Sequence, residues 1–325
     1  MFHGGEPAIT GLKYFKKFIE TLRTVNKKFD INYKFAIQTN GTLLNENWIE
    51  IIEKNLDLMS ERIISLSLDG TQEINDKARL TRNGKSSFQN VADAMKIINR
   101  SEINYTTISV VGQHNLNRAE EVYKIIRSFK PRFAKFIPCY NFDNDGNVEM
   151  LGIRPTEYAN FMCKIFDLWM KDRTSEIDRD FVIDPITTII STLVNVPVTW
   201  CEYRDGKCDN FTSIYPDGEL WLCDTFNPET MKNFAYLGNI KNLSDSELEK
   251  IFLQPSDFCE YQTFYKNLTE NCTGCDIFKF CHGGCLPQRY ELKNKSEKLF
   301  AEYCAGKHKL INYIKAGVDC ALSEP

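Results

Sequence analysis

Four cysteines crowd into the stretch NCTGCDIFKFCHGGC, with two, five and three residues between Cys272, Cys275, Cys281 and Cys285. Spacing this tight cannot serve four independent disulfides, and packing does not require it. It suits thiolates converging on metal. The chain carries 12 cysteines in 325 residues. In a reducing compartment structural disulfides are disfavoured, so clustered cysteines point to metal or redox chemistry. Eight of them, Cys201, Cys208, Cys223, Cys272, Cys275, Cys281, Cys285 and Cys304, lie between positions 201 and 304. Cys139, Cys163, Cys259 and Cys320 are more scattered and are expected to be buried small hydrophobes.

A second spaced set runs Cys208, nine residues, Gly218, four residues, Cys223. Between them SIYPDGELWL reads as two short strands joined by a turn at Pro216-Asp217-Gly218. That hairpin would bring Cys208 and Cys223 side by side. Eight thiolates make two sites of four. Zinc knuckles, iron–sulfur clusters and redox disulfides all use C-x-x-C, though a redox pair belongs at a strand–helix turn. Spacing by itself leaves zinc and iron both open.

Composition narrows the rest. The length allows one large domain and a smaller one. A 42% hydrophobic and 26% charged chain is ordinary for a soluble globular protein. A net charge of -4 argues against a general nucleic-acid binder. No apolar run approaches the ~20 residues of a membrane-spanning helix. The first residues, MFHGGEPAITG, lack a basic-then-apolar signal pattern. The expected location is the cytoplasm, with no nucleic-acid or membrane partner.

Upstream of the cysteines the chain alternates between strand and helix. Phe2-His3-Gly4-Gly5-Glu6-Pro7 looks like a strand end running into a glycine turn. Leu12, Phe15, Ile19 and Leu22 then make one apolar helical face. Strands are expected at 34–39, 62–68, 105–111 and 134–138. Helices are expected at 45–58, 86–99, 118–128, 156–171 and near 184–195, with Asn45 as an N-cap. A polar stretch, 141–151, reads as a linker or lid. Strict alternation implies parallel strands with crossover helices, an α/β fold, and chemistry at the C-terminal strand ends. Those ends carry Gly4-Gly5-Glu6, Gln38-Thr39-Asn40 and Ser67-Leu68-Asp69. Asn40-Gly41 and Asp69-Gly70 could each be mere turn chemistry. Three polar strand ends in succession favour a shared ligand site.

With these residues in view, the chain resembles radical S-adenosylmethionine (SAM) enzymes that carry a SPASM domain. That domain's order is C-x(9–15)-G-x4-C, a gap, C-x2-C-x5-C-x3-C, a gap, then C. Cys208, Gly218, Cys223, Cys272, Cys275, Cys281, Cys285 and Cys304 fit it at every position. Gly4-Gly5-Glu6-Pro7 matches the family's GGEP motif, and QTNGTLLNENW and LSLDGTQEIND look like anaerobic sulfatase-maturating enzymes. The resemblance spans Phe2 to about Gly317.

It implies a partial (β/α)6 barrel over 1–196 and an auxiliary-cluster domain over 197–325. It implies two auxiliary [4Fe-4S] clusters, one on Cys201, Cys208, Cys223 and Cys285, the other on Cys272, Cys275, Cys281 and Cys304. Gly4, Gly5, Glu6, Thr39, Asn40, Ser67 and Arg79 would bind SAM, with Glu6 toward its amino group and Arg79 toward its carboxylate. His3 and Gln38 would face the substrate, and His3 stands where sulfatase maturases commonly carry Gln. Asp224 would be the catalytic base. Its position beside a cluster ligand lets a proton and an electron leave together.

The family holds its SAM-binding [4Fe-4S] cluster with C-x3-C-x2-C, and no such motif occurs in these 325 residues. The expectation is an N-terminally truncated chain, inactive by itself. In the family the enzyme oxidises a Cys or Ser of a sulfatase or a ribosomally made precursor peptide, drawing electrons from a flavodoxin or ferredoxin. A peptide-crosslinking maturase and a non-catalytic metal-stapled binding module are the alternatives.

Overall fold

The computed structural model describes residues 1–174, 180–208 and 211–323. The chain divides into two compact units. The first comprises the described residues of Met1–Asn141, Glu149–Ile153 and Asn160–Thr187; the second comprises Phe142–Val148, Arg154–Ala159 and those from Thr188 onward.

The first unit is built on a parallel sheet of β1 (Phe35–Thr39), β2 (Met59–Ser67), β3 (Asn104–Val111), β4 (Phe133–Pro138) and β5 (Val182–Asp184), in chain order. The α-helices before β4 are α1 (Gly11–Phe29), α2 (Glu46–Glu53), α3 (Gln72–Asn75), α4 (Phe88–Ile98) and α5 (Ala119–Phe129). The helix α6 (Pro155–Thr174) leads to β5, and α7 (Ile186–Leu193) follows it. The expected α/β alternation is therefore present. Phe2 pairs with Ile37 in parallel, its N–H 2.8 Å from Ala36 O and its carbonyl 3.0 Å from Gln38 N. The opening residues thus lie along the edge of β1, as the glycine-turn reading expects.

Strand periodicity sets two faces. Ile37, Ile64, Leu66, Tyr105, Ala134 and Ile183 are buried. An aromatic group of Phe2, Phe15, Phe18, Phe35 and Trp48 joins the N-terminal residues, α1, β1 and α2, with ring centroids 4.5–6.3 Å apart. The other face carries Gln38, Ser65 and Ser67, all half-buried. Register aligns Gln38 with Ser65 and Ser65 with Thr106, whose hydroxyl lies 3.3 Å from that of Ser65.

Three sequence expectations need correction. The helix expected over 45–58 ends at Glu53. Asn45 caps it, accepting from Trp48 N–H, but Asn55 leaves helical geometry (φ -131) and bonds back to Ile51 O, and a 3₁₀ turn follows. The stretch 141–151 is ordered: Asp143 Oδ1 accepts the N–H groups of Asp145 and Asn147, and Phe142 bridges Val148. Of the four scattered cysteines only Cys163 is buried. Cys139 and Cys259 are half-buried, and Cys320 is exposed near the end of a long helix whose last residues face outward. The strand β5 was not foreseen, since three residues carry almost no periodicity.

The second unit has a three-stranded antiparallel sheet, β6 (Ser213–Ile214), β7 (Glu219–Trp221) and β8 (Tyr236–Asn239). Its helices are α8 (Lys232–Ala235), α9 (Asp245–Leu253), α10 (Tyr261–Thr269), α11 (Phe278–Cys281), α12 (Leu286–Lys295) and α13 (Glu297–Ser323). Leu220, Trp221, Leu222, Phe226, Met231, Ile251, Phe264 and Leu286 form its buried core, and Cys208 belongs to it. No helix among the described residues is long and apolar enough to cross a membrane.

Candidate cofactor site and metal centres

At the C-terminal strand ends of the first unit, Gly4 and Gly5 both adopt left-handed backbone (φ +78 and +53). A Cβ on either would meet nothing within 4 Å, so conformation and not packing calls for glycine, and the space in front stays open. Glu6 sits behind them. Its Oε1 accepts from Ala8 N (3.0 Å) and Thr39 Oγ1 (2.6 Å), and its Oε2 from Asn40 N (2.7 Å). A carboxylate offers about four lone-pair sites. Three donors leave one for a ligand.

Thr39 is buried, and its hydroxyl also accepts from Gly41 N at 3.0 Å. Its part is to hold Glu6. Asn40 Oδ1 accepts from Thr42 N (2.9 Å) and Oγ1 (2.7 Å), an Asx turn that fixes the loop. The hydroxyl of Ser67 and the amide of Gln38 make no hydrogen bond among the described residues and are half-buried on the polar face of the sheet. His3 is exposed.

Arg79 spends Nε (2.7 Å) and Nη2 (3.0 Å) on the two oxygens of Asp69, which is 1% exposed. Val110 N–H also donates to Asp69, and His114 Nε2 stands 3.4 Å away. Burial pushes the Asp69 carboxyl up, but His114, Arg79 and the Val110 N–H outweigh it and hold it below the ordinary carboxylate range. Arg79 keeps Nη1 for a ligand. Sequence reasoning had named Asp69 only as a polar strand end; its burial and the Arg79 fork were not legible.

In the second unit the eight cysteines fall into two electrostatic neighbourhoods. Burial raises the Cys208 thiol, and the charges of Cys223 and Cys201 add to this. Burial raises Cys285 as well, reinforced by Glu202, Cys208 and Cys223. Burial pushes Cys223 up to about 11. The other group shows the same mutual effect. Cys304 is raised by burial and by Cys272, Cys281 and Cys275, and Cys281 by burial and Cys272. Buried thiols held this high stay protonated until a metal takes the charge. Among the described residues no three of these sulfurs lie within 4.8 Å of one another.

Asp224 is exposed, with Oδ1 3.5 Å from Cys223 Sγ. Cys275 has a neighbour the sequence did not suggest. Its sulfur lies 3.5 Å from His308 Nε2, and His308 Nδ1 lies 3.5 Å from Asp276 Oδ1. His308 is one helical turn beyond Cys304 on α13, so an i, i+4 scan from a known ligand would have found it. Buried cations surround both groups. Lys207 is 2% exposed and donates to the carbonyls of Glu202, Cys281 and Gly284. Lys307 pairs with Glu202. Tyr303 OH accepts Cys285 N–H at 2.8 Å and donates to Glu202.

An α/β unit with open glycine and carboxylate strand ends, joined in sequence to a small cysteine-rich unit, is the arrangement of a cofactor-using enzyme. Residues 1–127 match the radical SAM superfamily. The cysteine-type anaerobic sulfatase-maturating enzyme of Clostridium novyi (strain NT) is 31% identical over 290 residues, covering 87% of this chain and 72% of that protein. The serine-type enzyme of Bacteroides thetaiotaomicron is 24% identical over 340 residues, covering 98% and 76%. The solved structure of native anSMEcpe with bound AdoMet and Cp18Cys peptide superposes with a TM-score of 0.80 at 24% identity, covering 98% of this chain and 84% of that one. The chain belongs to the anaerobic sulfatase-maturating enzyme family of the radical SAM superfamily. It is an enzyme of the radical SAM/SPASM maturase type, a family that uses SAM and iron–sulfur chemistry.

Proposed function

We propose that this protein serves the oxidation of a Cys or Ser side chain in a sulfatase or related peptide to formylglycine, with one auxiliary [4Fe-4S] cluster in each cysteine foursome. The observation that carries the reading is the 31% identity over 290 residues to the cysteine-type anaerobic sulfatase-maturating enzyme of Clostridium novyi, together with the eight cysteines in the family's order. Four thiolates suit zinc or an iron–sulfur core alike, and membership of a radical SAM family favours iron.

When bound, SAM and its own cluster supply the hydrogen-abstracting radical, and the auxiliary clusters supply one-electron acceptors. The cysteines for the SAM cluster are not among these 325 residues. Gly4 and Gly5 present open backbone to SAM, and the remaining Glu6 lone pair takes its ammonium. Thr39 and Asn40 hold that loop. Ser67 offers its hydroxyl to the ribose, and Asp69 aims the free Nη1 of Arg79 at the SAM carboxylate. His3 and Gln38 receive the substrate. Oxidation at the substrate carbon removes a hydrogen atom, a proton and an electron, exposed Asp224 takes the proton, and for a Cys substrate water then replaces the sulfur, which leaves as hydrogen sulfide. A flavodoxin or ferredoxin supplies reducing equivalents.

Anaerobic reconstitution tests this. The expected product is brown, with about eight irons and eight sulfides per chain, and binds SAM more weakly after Gly5→Val. A colourless, zinc-loaded protein overturns the reading.

A further inference from the structure

We propose that Arg289 is a buried counter-cation of the second cysteine foursome, bonded to the Cys272 sulfur, and that it makes this cluster the easier of the two to reduce. The inference rests on the two-cluster reading above.

Arg289 lies in the first turns of α12 and is 2% exposed. Its Nη1 donates to Cys272 Sγ at 3.1 Å and to Gly283 O at 3.0 Å. Its guanidinium carbon stands 4.8 Å over the Phe300 ring. Among the described residues no carboxylate pairs with it, and its Nε is buried without a partner. A buried guanidinium without a counter-charge is costly, and a carbonyl and a ring cannot neutralise it. The negative charge within reach is sulfur.

The place is built for it. Gly283 turns with φ +86, and a Cβ there would stand 3.2 Å from Nη1. The first foursome is furnished differently. Lys207 lies near it, but the three bonds of its ammonium go to carbonyls. Beside Cys223 stands the carboxylate of Asp224.

Net charge and hydrogen bonds to sulfur set cluster potentials. Reduction adds one electron to an already anionic core, and a fixed cation at hydrogen-bond distance favours the reduced form. No bond breaks and no proton is taken up, because guanidinium stays charged.

The test is an EPR-monitored titration of the anaerobically loaded full chain with dithionite. Arg289→Gln is expected to lower the reduction equilibrium constant of one cluster at least tenfold, which is 59 mV for one electron, and to leave the other in place. Arg289→Lys, which keeps the charge but not the fork, should shift the same cluster by less. Unmoved titrations in Arg289→Gln, or equal shifts of both clusters, overturn the proposal. If Arg289→Gln fails to hold four of its irons, Arg289→Lys decides: a shift of one cluster supports the proposal and none overturns it. Zinc uptake in place of iron overturns the cluster reading and this inference together. Iron-loaded protein with unmoved potentials overturns this inference alone.

Discussion

The two units solve the burial of charge in opposite ways. In the sheet unit the buried carboxylate of Asp69 meets a protein cation, the two-pronged Arg79, plus a backbone N–H. In the cysteine unit the buried cations Arg289 and Lys207 meet sulfur and carbonyl oxygen. The second unit holds a carboxylate–cation pair of its own, Lys307 with Glu202, so the difference lies in Arg289 and Lys207. The apolar economy differs likewise: long parallel strands bury a continuous face in one, and strands of two to four residues frame a smaller core in the other.

The harshest way to break this comparison is to withhold metal. Cys281→Ser or Cys285→Ser should remove about half of the bound iron, and chelation should open the second unit to proteases while the first stays protected. Metal analysis and limited proteolysis read both; equal resistance of the two units would erase the contrast.

Asp69→Asn comes next. Removing one partner of a buried pair costs ~3–5 kcal/mol, measured by urea unfolding. The sign with pH follows from the lowered carboxyl. Its contribution is present in full above the ordinary aspartate value of 3.8 and is lost as pH falls through the lower folded value. Acid unfolding of the wild type should contain this component and Asp69→Asn should lack it.

Gly284→Ala probes the metal-held unit without touching a ligand. Gly284 has φ +73, and an added Cβ would run into the Tyr303 hydroxyl. Overpacking costs typically about 1–3 kcal/mol, so reduced iron retention and a lower melting temperature are expected.

The smallest effects should not distinguish the units at all. Asn45 caps α2, and Ser244 with Glu247 forms a capping box on α9. Replacing either cap with Ala should cost ~1 kcal/mol. Thermal unfolding that shows one cap far more costly than the other would mean that local structure, and not counter-charge, separates the units.

The sheet unit was legible because its helices and strands are long enough for apolar residues to recur at fixed steps. Phe15 and Ile19 on α1, and Ile64 and Leu66 on β2, are buried as their periods require. The cysteine spacing made a metal-binding region legible, while the division into two foursomes came only from the family resemblance. Arg289, Lys207 and Lys307 were not legible. In a sequence, lysine and arginine read as solvated surface, and what meets these three is sulfur, backbone carbonyl or carboxylate brought in from distant positions. Asp69 was half legible: the strand end was evident, its partner ten residues on was not.

Cys285, assigned to the first foursome, follows three members of the second in the sequence. On the ribosome neither set is therefore whole when its earliest sulfurs emerge. Tyr303, whose hydroxyl receives the Cys285 amide, and Cys304 arrive later still, on α13. A group held by either set would therefore tie together stretches made far apart in the chain, and neither could be assembled from one contiguous segment.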